Sequence, residues 1–282
     1  MIKNMISIYA KPPFLRVNEA TGDSYVCRVS SRIRGEEISE YMGTKYNAEE
    51  RAVDDLCIFI KPRSLNSIED GDYVDVLDGI ELIPMLKERP GVKVIAMSQV
   101  HYEYLKNELK NEIYLIHHHH INFERFRRTK NDILAGGMIG HSPEAYNTYN
   151  QIKESLAPVG IEFLGAFNYK TRQDMIDFFK KIDFFVAWWG DYDRTGFYNH
   201  PTKIINPASF GIPALTQPFI GGYKEFDGFY IPIEDMNSLV EEAVKLKDDS
   251  YYQIWSDKVF QEAEKYHISQ IAELYKQLKK IC

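Results

Sequence analysis

Several residue groups in this 282-residue chain have types and spacings that suit chemistry on an anionic substrate. Arg194, His200 and Lys203 flank Pro201, a residue suited to a first helical turn because its missing N–H has no intrahelical partner there. Cations beside a helix start can steady charge that develops on a leaving anion. Gly136, Gly137 and Gly140 lie where a strand turns into a helix and a backbone can approach phosphate, although G-G-x-x-G is neither a Walker loop nor the full dinucleotide fingerprint. Asp75 and Asp78 close a short apolar run, and either is a candidate base for a hydroxyl proton. Helix capping is the alternative for Asp78. His117–His120 are consecutive, and neighbours on an extended strand point to opposite faces, so the four cannot ligate one ion. They are read as cleft-facing imidazoles, with no metal. Asp191-Tyr192-Asp193 sets two carboxylates at a spacing that suits a hard cation, or a solvated loop.

The elements that must position these residues alternate. Candidate strands are Tyr25–Val29, Leu56–Ile60, Tyr73–Leu77, Val92–Met97 and Ile113–Ile116, then Asp132–Met138, Ile161–Phe167, Phe184–Trp189, Ala214–Gln217 and Phe229–Ile233. Continuous apolar runs suit strands buried on both faces of a parallel sheet. Helical spacing fills Ile80–Glu88, Val100–Leu109, Pro143–Leu156, Arg172–Lys181 and Met236–Leu246. The pattern implies βαβ units in two Rossmann-like α/β halves, 1–125 and 126–282, facing a cleft that binds ligands at the carboxyl ends of the strands. The tail from Tyr251 to Leu278 reads as amphipathic helices whose segments around Tyr266 and Tyr275 return to the first half.

A net charge of −7 disfavours nucleic acid as a partner, since that affinity rests on surplus Lys and Arg. Arg125, Arg127, Arg128 and Lys130 form the densest basic stretch and read as a solvated linker. Three cysteines without CxxC spacing fit a reducing cytoplasm, and no apolar run reaches the ~20 residues that span a bilayer.

From Phe184 to Ile233 a buried strand leads through a polar loop to a helix that opens near Pro201, then to Ala208-Ser209-Phe210-Gly211-Ile212-Pro213-Ala214 and Gly221-Gly222-Tyr223-Lys224-Glu225. This order resembles the donor-binding half of GT-B-type glycosyltransferases. Tyr73–Asp78, Val94–Ser98 and Tyr114–Phe126 are similar to first-half and linker segments of the same enzymes. The resemblance implies transfer of a sugar from a nucleoside-diphosphate sugar to a hydroxyl acceptor, with no metal or other cofactor. It implies donor-binding roles for Gly137, Gly140, Arg194, His200, Thr202, Lys203, Asn206, Gly221, Gly222 and Glu225. Catalytic roles fall to Asp78, His118, His119 and Lys203.

Two positions depart from that pattern. Asn206 replaces the acidic residue of the donor helix, and the turn after the first strand of the second half has no Arg or Lys. A protein that binds nucleotide or sugar without turnover is therefore the second reading. A metal-dependent GT-A-type transferase using Asp191 and Asp193 is the third.

Overall fold

The computed structural model describes residues 5–17, 22, 24–27, 29–51, 54–140, 142–188, 201–217 and 225–281. The chain opens with β1 (Ile6–Ala10), β2 (Phe14–Val17), β3 (Ser24–Cys27), α1 (Val29–Ser31) and α2 (Ile38–Met42), with a π-helical stretch at Arg32–Glu37 joining the two helices. β4 (Lys45–Tyr46), β5 (Leu56–Ile60), β6 (Tyr73–Asp75), α3 (Ile83–Lys87), β7 (Lys93–Ala96), α4 (Gln99–Glu108) and β8 (Ile113–Leu115) follow. These build a six-stranded parallel sheet of order β4-β1-β5-β6-β7-β8, while β2 and β3 pair as a separate antiparallel hairpin.

After a linker come β9 (Ala135–Ile139), α5 (Pro143–Leu156), β10 (Glu162–Ala166), α6 (Arg172–Phe179), β11 (Phe184–Ala187), α7 (Thr202–Ala208), β12 (Ala214–Thr216), β13 (Ile231–Pro232) and α8 (Met236–Lys245). Their five strands form a second parallel sheet, β10-β9-β11-β12-β13. β11 is buried along its whole length, as a strand covered by helices on both faces must be. α9 (Asp249–Ala263) and α10 (Ile268–Ile281) end the described chain.

Two parallel sheets of this kind define two Rossmann-like halves and replace the single-domain GT-A layout. Each sheet has a switch point, where strand order reverses: β1/β5 in the first and β9/β11 in the second. α10 leaves the second half and buries Ile268, Ile271, Tyr275 and Leu278 against Ile6, Ile8 and Ile58 of the first sheet. Tyr266, expected to return with it, instead packs with Ile204, Phe226 and Phe229 of the second half.

The start of the chain corrects the sequence reading. The first sheet strand is Ile6–Ala10, whose polar Ser7 is buried because its Oγ donates to Asp55 Oδ2 at 2.8 Å. The expected strand Tyr25–Val29 splits: Ser24–Cys27 belongs to the hairpin and Val29 begins a helix. Gly35 obscured that helix in the sequence, yet the packing requires it. A Cβ there would stand 2.8 Å from Tyr46 Cε2 and 3.3 Å from Ala10 Cβ.

Candidate active site

A cleft of about 570 Å³ opens where the carboxyl ends of the first sheet face the second half. Lys11 follows β1, Lys61 and Arg63 follow β5, and Asp78 follows β6, so the β1/β5 switch point forms one wall. Tyr169, beyond β10, and Thr202, in the first turn of α7, line it from the second half. His118 enters from the linker. Three predicted residues, Asp78, His118 and Thr202, thus meet in one cavity. Lys11, Lys61, Arg63, Glu81 and Tyr169 were missed. Reading outward from the carboxyl end of Leu56–Ile60 to Lys61-Pro62-Arg63 would have found two of them.

Asp78 Oδ1 accepts from Lys61 Nζ at 2.8 Å, and both side chains are about one-third exposed (39% and 34%). The carboxylate is thereby aimed and charge-balanced without being sealed from solvent. Asp75, the other candidate base, is excluded from the cleft. It is wholly buried against Arg34, whose guanidinium reaches Asp75 Oδ2 at 2.6 Å, and burial raises its pKa despite that cation.

The four histidines diverge. His117 Nδ1 lies 3.5 Å from Glu225 Oε1, and burial lowers the pKa of His117 to about 4. His118 lines the cleft, although its side chain is as buried as that of His119. His119, predicted as catalytic, is corrected to a structural role: both ring nitrogens are taken up by backbone carbonyls, Nε2 at 2.8 Å from Ile33 O and Nδ1 at 3.0 Å from His120 O. His120 Nδ1 accepts from Asn122 N at 3.2 Å, and burial takes its pKa down to about 2. The backbone on either side of His118 is fixed. Arg34 Nη1 donates to Ile116 O and His117 O at 2.7 and 2.8 Å, and His120 N donates to Tyr266 O at 3.0 Å.

Among the donor-binding predictions, Gly137 is corrected to packing. It lies inside β9, bonded between β10 and β11, and a Cβ there would come within 2.7 Å of Ile182 Cγ2 and Phe178 Cζ. Gly140 lies at the turn from β9 to α5, where a Cβ would meet Ala145 Cβ at 2.4 Å and its N–H is donated to Ala166 O. Asn206 turns to the linker, its Oδ1 accepting from Ile121 N at 3.1 Å. Glu225 crosses to the first half, where Oε2 accepts from Gln99 N at 2.5 Å at the start of α4. Burial lifts its pKa to about 7. Lys203, half-buried in α7, is drawn down to about 8 by lost hydration. Arg194, His200, Gly221 and Gly222 lie outside the described residues, as do Asp191 and Asp193.

The basic linker, expected to be solvated, is pinned. Arg125 pairs with Glu264, Arg127 with Asp257, Arg128 with Asp183 and Lys130 with Asp249. Gly211, in the motif after α7, adopts φ +71° and ends the helix while Arg128 N donates to Phe210 O.

Paired parallel sheets, a cleft at their carboxyl ends and a last helix returned to the first sheet define the GT-B fold of glycosyltransferases. Solved structures with this fold include Anabaena Alr3699/HepE in complex with UDP and glucose, 11% identical, covering 99% of this chain and 100% of that one at a TM-score of 0.58. AviGT4, a glycosyltransferase involved in avilamycin A biosynthesis, is 12% identical with 98% and 97% coverage and a TM-score of 0.55. TarM is 12% identical with a TM-score of 0.61; 94% of this chain aligns, spanning 63% of TarM, less than two thirds of its length. Neither a family model nor a curated protein matches the sequence. Among the described residues, no helix is long and apolar enough to cross a membrane.

Proposed function

We propose that this protein transfers a glycosyl group from a nucleoside-diphosphate sugar to a hydroxyl acceptor in the cleft, without a metal. Residues 1–125 serve as the acceptor side and 126–282 as the donor side. The observation that carries this reading is the convergence of Asp78, His118 and Thr202 at the switch point of the first sheet. The acceptor oxygen forms a bond to the anomeric carbon as the carbon–oxygen bond to the diphosphate breaks. Asp78 takes the acceptor proton, with His118 at the same wall. Lys203, together with Arg194 and His200, offsets the charge left on the diphosphate.

The test is turnover of a panel of nucleoside-diphosphate sugars against mixed hydroxyl acceptors, with and without EDTA. Product formed equally in both, and lost in Asp78→Asn and Lys203→Ala, is the expected result. Activity only with added Mn²⁺, or wild-type turnover in Lys203→Ala, would overturn the assignment. A second reading, binding without turnover, draws support from Asn206 and Glu225, whose side-chain oxygens are engaged by Ile121 and Gln99 backbone amides. Thermal stabilisation by a nucleotide sugar that yields no product would favour it.

A further inference from the structure

The first-half wall of the cleft holds positive charge that the transfer step does not use. Lys61 is committed to Asp78, but Arg63 beside it is exposed and stands in the same cavity. Other described arginines are matched: Arg34, Arg51, Arg89 and Arg128 to aspartates, for instance, and Arg16 to the ring of Phe14. Among the described residues, Arg63 alone of the arginines has no carboxylate, carbonyl or ring partner. Its guanidinium is a planar fork that fits two oxygens of a phosphate or carboxylate, and Lys11 lines the same cavity. Two carboxylates share the wall. Asp78 is balanced by Lys61, which leaves Glu81, exposed at the rim, as the group that opposes a bound anion.

The geometry points to an oxyanion subsite on this wall, centred on Arg63, that takes the phosphate or carboxylate group of an anionic hydroxyl acceptor and presents its hydroxyl toward Asp78. The inference rests on the glycosyl-transfer reading above, and it names the acceptor's chemical class. The same oxygen chemistry exists on the donor's diphosphate, so the experiment must separate the two sources.

Inorganic phosphate is titrated into the full chain by calorimetry at fixed ionic strength, alone and with saturating UDP. Wild type, Arg63→Ala and Glu81→Gln are compared. Both side chains are exposed, and circular dichroism checks that each variant is folded. Phosphate should bind whether or not UDP is present. Arg63→Ala should weaken it by about tenfold, the loss of one charge-assisted fork, and Glu81→Gln should tighten it about threefold. Competition between phosphate and UDP would assign the wall to the donor and overturn the proposal, as would an unchanged Arg63→Ala or no phosphate binding at all. The UDP titration judges the transfer reading by itself. A chain that binds UDP but not phosphate keeps that reading and loses the subsite. One that binds phosphate through Arg63 but neither UDP nor any other nucleoside diphosphate of the panel overturns the acceptor assignment.

Discussion

Asp78 and Glu225 are carboxylates in opposite circumstances. Asp78 stands at the cleft with a lysine partner 2.8 Å away and is partly exposed, a setting that suits the base role proposed for it. Asp78→Asn keeps the shape and the bond to Lys61 but cannot take the proton. Turnover should fall by about 10²–10³-fold with little change in donor KM, the ordinary worth of a positioned base. Glu225 is mostly buried, and its folded pKa of about 7 lies above the ordinary carboxylate value. Between pH 4.5 and 7 the native protein therefore holds more protons than the unfolded chain, and stability drains away as pH rises through that window. Glu225→Gln removes that slope. Its stability relative to wild type should improve by about 2–3 kcal/mol between pH 4.5 and pH 8, read from urea unfolding at each pH.

At the scale of elements, glycine marks where helices must lie close to strands. Gly136 and Gly137 read in the sequence both as the end of the strand Asp132–Met138 and, with Gly140, as a turn where backbone could approach phosphate. They form the middle of β9, where Phe184, Ile182 and Phe178 occupy the space a side chain would need. Gly137→Ala should cost about 1–3 kcal/mol through overpacking while leaving any affinity of the folded fraction for UDP unchanged. Thermal unfolding paired with UDP titration separates the two effects. Runs such as Leu56–Ile60 and Phe184–Ala187 were legible because burial on both faces leaves no polar alternation to confuse them. Ser98, placed by the resemblance between a strand and a helix, caps α4 by accepting from His101 N. β1 was not legible, because buried Ser7 interrupts its apolar pattern and its partner Asp55 is 48 residues away. Lys11 escaped notice with it. The divergence of the four histidines was equally hidden: alternation says that neighbours face apart, but not which neighbour meets a cleft, a carbonyl or a ring.

Across the whole molecule the two halves are joined at several levels, and α10 tests how tightly. Its Tyr275 is wholly buried in the first-sheet core, with the Arg34 guanidinium 5.7 Å from its ring centre. Arg34 in turn holds the carbonyls that precede His118, so packing by the last helix bears on the cleft. Among the described residues, the Tyr275 hydroxyl has no hydrogen-bond partner. Tyr275→Phe therefore removes only an unmatched polar atom and should leave stability unchanged or raise it slightly. Tyr275→Ala removes the ring and should cost about 3–5 kcal/mol. The probe then decides whether that cost stays in the first half. All three tryptophans, Trp188, Trp189 and Trp255, belong to the second half, whereas far-ultraviolet circular dichroism sees both. Because α10 continues from α9, and His120, Asn122 and Glu225 each bond across from one half or the linker to the other, the two signals should shift together in Tyr275→Ala. A dichroism transition that moves to lower urea while tryptophan emission stays in place would mean that the halves unfold separately, and that α10 covers the first sheet without coupling it to the second.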